Sequence, residues 1–229
     1  FFLRDLLVSG GDSDSVLRGF TVDYLQDEES RRKIVDFLNL ADFGFKDIRL
    51  KQTRLVDDAG RSLGSLVQEG RFVDPLLVIT ERDVFDEQGN RVASRSMLMD
   101  ENESAGTVKM FNYSGAVLNA LERGSVVVLD EFDSKMHPML TLRMIEMFNS
   151  CEINKRGAQL VFVTHDTNLL NGSLLRRDQI YFAEKNSRNE TYFYSLADFK
   201  GVRNDASYGK DYIRGKYGAV PFLGDFSAL

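Results

Sequence analysis

Cysteine is almost missing from this chain: Cys151 stands alone among 229 residues. No internal disulfide framework can therefore hold the fold, and a reducing, cytoplasmic setting is expected, with Cys151 read as a small packing residue. Long apolar runs are missing too. Nothing approaches the length needed to cross a bilayer, and no leader pattern marks the N-terminus, so a membrane role is not expected. An excess of positive charge is the third absence. The formal net charge is −6, which argues against a protein that coats nucleic acid through charge alone. The clusters Arg31-Arg32-Lys33, Lys155-Arg156 and Arg176-Arg177 are candidate phosphate contacts whose simpler reading is a solvated face. The chain opens on Phe1 rather than Met, and a piece of something longer is expected.

What is present is an ordinary globular composition, 43% hydrophobic and 28% charged, long enough for one domain or one domain plus a lobe. Residues 14–40 carry Val16, Leu17, Phe20, Tyr24, Leu25, Ile34, Phe37 and Leu38 at helical spacing, broken at Asp27-Glu28-Glu29, and predict two helices. Phe43 to Val56 and Phe72 to Phe85 read as strands. Glu87-Gln88-Gly89-Asn90 supplies a turn before a return strand through Met97-Leu98-Met99. Asp57 to Gly70 is expected to be a mobile loop or a short helix. Further on, a helical run with Val108, Phe111, Val117, Leu118 and Leu121 should stop at Gly124. A strand over Ser125–Leu129 follows, then a helix with Pro138 in its first turn. A second buried strand over Gln159–Thr164 completes a strand–helix–strand unit. Tyr181 to Leu196 reads as a hairpin around Asn186-Ser187-Arg188-Asn189.

In such a unit both strands are parallel, and functional groups gather beyond their carboxyl ends. Asp130 and Glu131 fall at one tip and His165 just past the other. Cleaving a nucleoside triphosphate requires Mg²⁺ against the phosphate charge, a carboxylate for the metal and an oriented water. Asp130 suits the metal, Glu131 the water-orienting base, and His165 a contact to the terminal phosphate. Ser104, Gly106 and Thr107 at a helix start offer N–H groups and a hydroxyl to an anion. Each feature also has a plain alternative. Asp130-Glu131 could be a strand running into an acidic turn, His165 a structural residue, the Ser104 block a helix cap, and Asp133-Ser134 the N-cap region before Pro138.

As an ordered set, four blocks resemble the signature motif, Walker B segment, D-loop and switch histidine of ABC-class ATPases. They are Glu103-Ser104-x-Gly106-Thr107, Val126 to Glu131, Asp133-Ser134-Lys135-Met136-His137-Pro138 and Val163-Thr164-His165-Asp166. Within that class the chain is similar to the OLD-like AAA-family ATPases of bacterial defence operons, as in Septu and retron systems. Arg176-Arg177-Asp178-Gln179-Ile180-Tyr181-Phe182, Tyr194 to Phe199 and the segment Tyr212 to Pro221 resemble that family's C-terminal blocks. The resemblance is densest over residues 103–221.

The resemblance implies an α/β, ABC-ATPase-type P-loop NTPase fold represented by its C-terminal half. A mixed or parallel sheet flanked by helices would occupy residues 101–229, and a variable helical and β lobe residues 1–100. It implies ATP and Mg²⁺ as cofactors and a homodimer or higher oligomer closed by an ATP sandwich. Ser104, Ala105, Gly106 and Thr107 would then face the partner's nucleotide, while Asp130, Glu131 and His165 serve the chain's own. Asp133 and His137 would lie at the dimer seam. No Gly-x-x-x-x-Gly-Lys-Ser/Thr loop occurs in the sequence. That Walker A loop belongs to an N-terminal half in the family, so the fragment is expected to be inactive alone. The implied function is an ATPase whose nucleotide-gated dimer controls a nuclease or another effector in anti-phage defence, with nucleic acid as a further candidate partner. The alternatives are a non-hydrolysing scaffold and a RecF- or SMC-like repair ATPase, the latter without the long heptad segment of SMC coiled coils. For Tyr208 to Tyr217 the readings are an effector-docking tail or simple packing.

Overall fold

The structure, a computed structural model, describes residues 6–9, 14–52, 66–68, 71–73, 76–203 and 207–221. The chain divides into two units, Phe1–Val163 and Thr164–Leu229. In the first, β1 (Leu6–Ser9) is followed by α1 (Asp14–Tyr24), α2 (Glu28–Asn39), β2 (Asp47–Gln52), β3 (Leu66–Gln68) and β4 (Arg71–Val73). Then come β5 (Leu76–Phe85), β6 (Arg91–Leu98), α3 (Met99–Asn102), α4 (Ala105–Arg123), β7 (Val126–Leu129), α5 (Pro138–Asn149) and β8 (Gln159–Phe162). The second contains β9 (Tyr181–Lys185), β10 (Thr191–Ser195), α6 (Tyr208–Ile213) and three short 3-10 turns. This is an α/β architecture. Among the described residues, no helix is long and apolar enough to cross a membrane.

The break between the first two helices falls where the acidic stretch predicts it. Asp27 caps α2, its carboxylate accepting the Ser30 N–H at 2.8 Å, with Glu28 and Glu29 in the first turn where helix-dipole charge favours anions. Arg32 pairs with Glu28, Lys33 with Glu29 and Glu122, and Arg31 with Asp47, so this basic cluster is an ion-paired face.

α4 is the axis of the first unit. Residues 111–117 are buried without a break, as in a helix covered on every side. α1 and α2 pack on it, and so does β7. The α1 crossing is closest at Gly115, where an added Cβ would meet the Thr21 Cα and Oγ1 at 2.8 Å. Thr21, itself fully buried, donates to the Asn112 carbonyl (2.8 Å) and accepts the Gly115 N–H (3.1 Å). Gly124 ends the helix in the left-handed conformation (φ 73°), as a C-terminal glycine does.

β1, β7 and β8 form a parallel sheet with β7 in the middle, Val126 to Leu129 lying beside Gln159 to Phe162. The predicted strand–helix–strand unit is therefore present, with both carboxyl ends at one edge. The second strand differs from its expectation. It ends at Phe162 and alternates between partly covered and exposed positions, leaving Val161 50% and Val163 53% exposed. Among the described residues β8 lies at the sheet's rim, where its Phe162 ring packs on Phe132, centroids 5.0 Å apart, and α5 contacts the strand.

β2, β5 and β6 form a separate antiparallel sheet. The return strand stops at Leu98 because Met99 begins the short α3, where it is fully buried. Of the expected loop Asp57 to Gly70, residues 66–68 are a strand paired with β4. The rest of it, like residues 53–56 and 74–75 of the expected strands, lies outside the described residues.

The second unit is built on the expected hairpin: β9 and β10 pair antiparallel, Tyr181 opposite Ser195. Its core is Ile180, Phe182, Leu196, Val202, Tyr208 and Tyr217. Phe182 stacks on Tyr212 (5.5 Å) and Tyr217 (5.7 Å), so these tyrosines pack on the hairpin. Arg177 is tied to the Val202, Ala197 and Phe199 carbonyls.

Candidate functional site

The site begins where β7 runs out. Asp130 follows the strand's last residue and is partly exposed; its Oδ1 accepts the Glu131 N–H at 2.9 Å. Among the described residues its other oxygen has no protein partner, which leaves it open to a metal or a metal-bound water.

Glu131 is exposed and its backbone is left-handed (φ 45°), a conformation that costs a non-glycine residue about 1–2 kcal/mol. Two donors hold its carbonyl there, the Lys109 ammonium at 2.6 Å and the Ser134 N–H at 3.0 Å. Its carboxylate makes no hydrogen bond or ion pair among the described residues. A carboxylate free to meet solvent beside a metal-competent aspartate can orient a water, the task the sequence assigns to it.

The turn after Glu131 is clamped from both sides. Phe132 is fully buried and donates its N–H to the Val163 carbonyl (3.0 Å), while Val163 donates to Leu129 (2.9 Å). On the other side the first turn of α4 comes so close that a Cβ on Gly106 would lie 2.7 Å from the Lys135 carbonyl oxygen. Gly106 is thus required by close packing in its own chain, whatever it offers a ligand. Lys135 is itself left-handed (φ 62°). Asp133 is partly buried, and its Oδ1 is shielded from solvent without a hydrogen-bond partner among the described residues. His137, not Asp133 or Ser134, caps α5: its Nδ1 accepts the Met139 N–H at 3.2 Å, with Pro138 in the first helical position.

At the start of α4, Ser104 is the N-cap. Its Oγ accepts the Thr107 N–H (3.1 Å) and lies 2.8 Å from the Thr107 hydroxyl, which is itself buried. Val108 bonds back to the Ser104 carbonyl (2.9 Å). The cap thus satisfies the Thr107 N–H and the helical ladder begins at Val108, so the N–H groups of Ala105 and Gly106 have no intrahelical partner and suit an anion. The preceding Glu103 is anchored to β5: Arg82 Nη2 donates to it at 2.8 Å and the Thr80 hydroxyl at 3.0 Å, and its side chain is only 6% exposed.

His165 belongs to the second unit and is exposed, without a hydrogen bond or ion pair among the described residues. Asp130, Glu131, Asp133 and the Ser104 block are brought together within the first unit. Among the described residues, no cluster of three metal-ligating side chains occurs. The open Asp130 oxygen suits a magnesium ion whose remaining ligands are phosphate and water, and the Ala105 and Gly106 N–H groups separately suit an anion. The sequence reading missed Lys109 and the Arg82–Glu103 anchor. A lone lysine among Met110, Phe111 and Tyr113 was the signal for the first, since a cation on a buried helix face needs a partner.

The sequence pattern of an AAA-domain family described as AbiEii toxin-like, Type IV TA system, matches residues 4–171. No curated protein matches the chain. The matched stretch runs from before β1 past β8, taking in the α4 cap, the Asp130-Glu131 turn and His165. AAA domains are nucleotide-binding ATPase domains that generally use ATP and Mg²⁺, which agrees with the chemistry of the donors gathered here. This chain belongs to that AAA-domain family.

Proposed function

We propose that the complete protein is an ATP hydrolase of the ABC class, of OLD-like type, in which this chain supplies the signature block, the Walker B carboxylates and the switch histidine. The observation that supports this most is the exposed Glu131, held left-handed beside the half-open Asp130 at the end of a central parallel strand. A Mg²⁺–ATP bound there would bring the phosphoanhydride and a charge-neutralising metal. Asp130 would hold the metal or its water, and Glu131 would orient the attacking water and accept its proton. For His165 the terminal-phosphate contact is what the family resemblance implies. Ser104, Ala105, Gly106 and Thr107 present the start of α4 to a nucleotide carried by a second copy, with Asp133 at the seam between copies. Nucleotide then closes a two-fold dimer, and hydrolysis opens it. The phosphate loop comes from an N-terminal segment, and the cycle controls a nuclease or another effector in anti-phage defence.

The test is phosphate release by the complete protein. With Mg²⁺ it should turn over ATP, and Asp130→Asn should lower the rate by about 100-fold or more, the scale of a lost electrostatic contact in the transition state. Unaltered turnover in that variant would remove Asp130 from the metal site. Nucleotide-dependent assembly without hydrolysis by the wild type would instead favour a scaffold.

A further inference from the structure

Lys109 is given no role toward nucleotide or metal in the proposed function, yet its ammonium reaches the Glu131 backbone directly. It lies on α4, two residues beyond Thr107, and only 5% of its surface is exposed. Its ammonium sits 5.4 Å from the Tyr113 ring centre and donates to the Glu131 carbonyl at 2.6 Å, the short contact of a charge-assisted hydrogen bond. Burying an ammonium is unfavourable unless it is well solvated by partners. Here a partner is the carbonyl of a residue whose left-handed backbone is itself unfavourable. Rotating Glu131 out of that conformation would swing the carbonyl away from Lys109 and redirect the carboxylate together with it.

We propose that Lys109 is a positioning residue: its buried ammonium locks the Glu131 backbone and so ties the direction of that carboxylate to the first turns of α4. The inference rests on the ATPase reading for its consequence, though not for the link itself. Gly106 makes the second tie between the same elements through its close approach to Lys135. A displacement of the α4 start therefore acts on the turn from Glu131 to Lys135 at both of its ends, and it reaches Glu131 directly through Lys109.

The test has two arms. In the complete protein, Lys109→Met should lower kcat about 10- to 100-fold, the scale of a misaligned catalytic group, with KM and ATP affinity little changed. Lys109→Arg, which still donates, should recover most of that loss. A wild-type kcat in Lys109→Met, or a parallel collapse of ATP affinity, would overturn the proposal. The second arm needs no hydrolysis and decides the matter if the wild type shows none. Lys109→Met should lower the melting temperature by about 4 °C in the wild-type background and by less than half of that in Glu131→Gly, because glycine adopts positive φ unaided. Equal drops in the two backgrounds would overturn the link. If Lys109→Met alone does not fold, recovery on adding Glu131→Gly supports the link and its absence rejects it.

Discussion

Glu131 was conspicuous in the sequence because it closes an apolar run of four residues with a second acid beside it, a placement that parallel-strand geometry turns into an edge position. Its left-handed backbone was not legible, because φ depends on which donors reach the carbonyl, and Lys109 lies 22 positions away in sequence. Ser104 is the helix cap of the plainer reading, its Oγ and the Thr107 hydroxyl and N–H bonded to each other, while no partner of the Ala105 and Gly106 N–H groups occurs among the described residues. Ser104→Ala should cost about 1 kcal/mol of stability, measured by denaturant unfolding, through loss of the Thr107 cap. His137 shows the limit of local pattern reading. A histidine caps through its ring nitrogen only if the chain turns it back over the helix, and that turn is set by Phe132 and Met136 going into the core.

At the scale of elements, helical spacing and terminal residues were informative: Asp27 and Gly124 mark boundaries that the structure reproduces. Strand burial was not, because four consecutive apolar residues signal a strand without saying what covers each face. β7 in the sheet's centre and β8 at its rim have similar sequences and different exposure. The α1–α4 crossing was invisible as well, since Gly115 acquires its meaning only from Thr21 opposite it. Gly115→Ala pushes a methyl group into the Thr21 backbone and should destabilise the protein by about 1–3 kcal/mol, seen as a lower unfolding midpoint at unchanged slope. The α4 start is also moored to the antiparallel sheet through Glu103, Arg82 and Thr80, a connection between residues far apart in sequence that no local motif announces.

At the scale of the whole molecule the two units carry different chemistry. In Thr164–Leu229 the phenols of Tyr194 and Tyr217 are pushed up to about 12, first by burial and then by hydrogen bonds to Glu184 and Asp211. The folded state thus favours the neutral phenol. Their stabilisation is complete below pH 10, where unfolded tyrosine is still protonated, and is lost as the pH rises from about 10 toward 12. Tyrosinate absorbance and circular dichroism should therefore change together over that interval, and Tyr217→Phe should shrink the alkaline loss. Asp211 works in the opposite sense. The Lys216 ammonium at 2.7 Å holds its carboxyl below the usual range, so its contribution is present at neutral pH and disappears as the pH falls through that lowered value. Across the chain as a whole, the AAA-domain match shows the family, and hydrolysis at the carboxylates ending β7 is the proposal to be tested. The most direct measurement is phosphate release and ATP binding by the complete protein carrying Glu131→Gln. Loss of release with retained binding and a longer-lived nucleotide-bound dimer is the predicted result, and turnover equal to wild type would contradict the role given to Glu131.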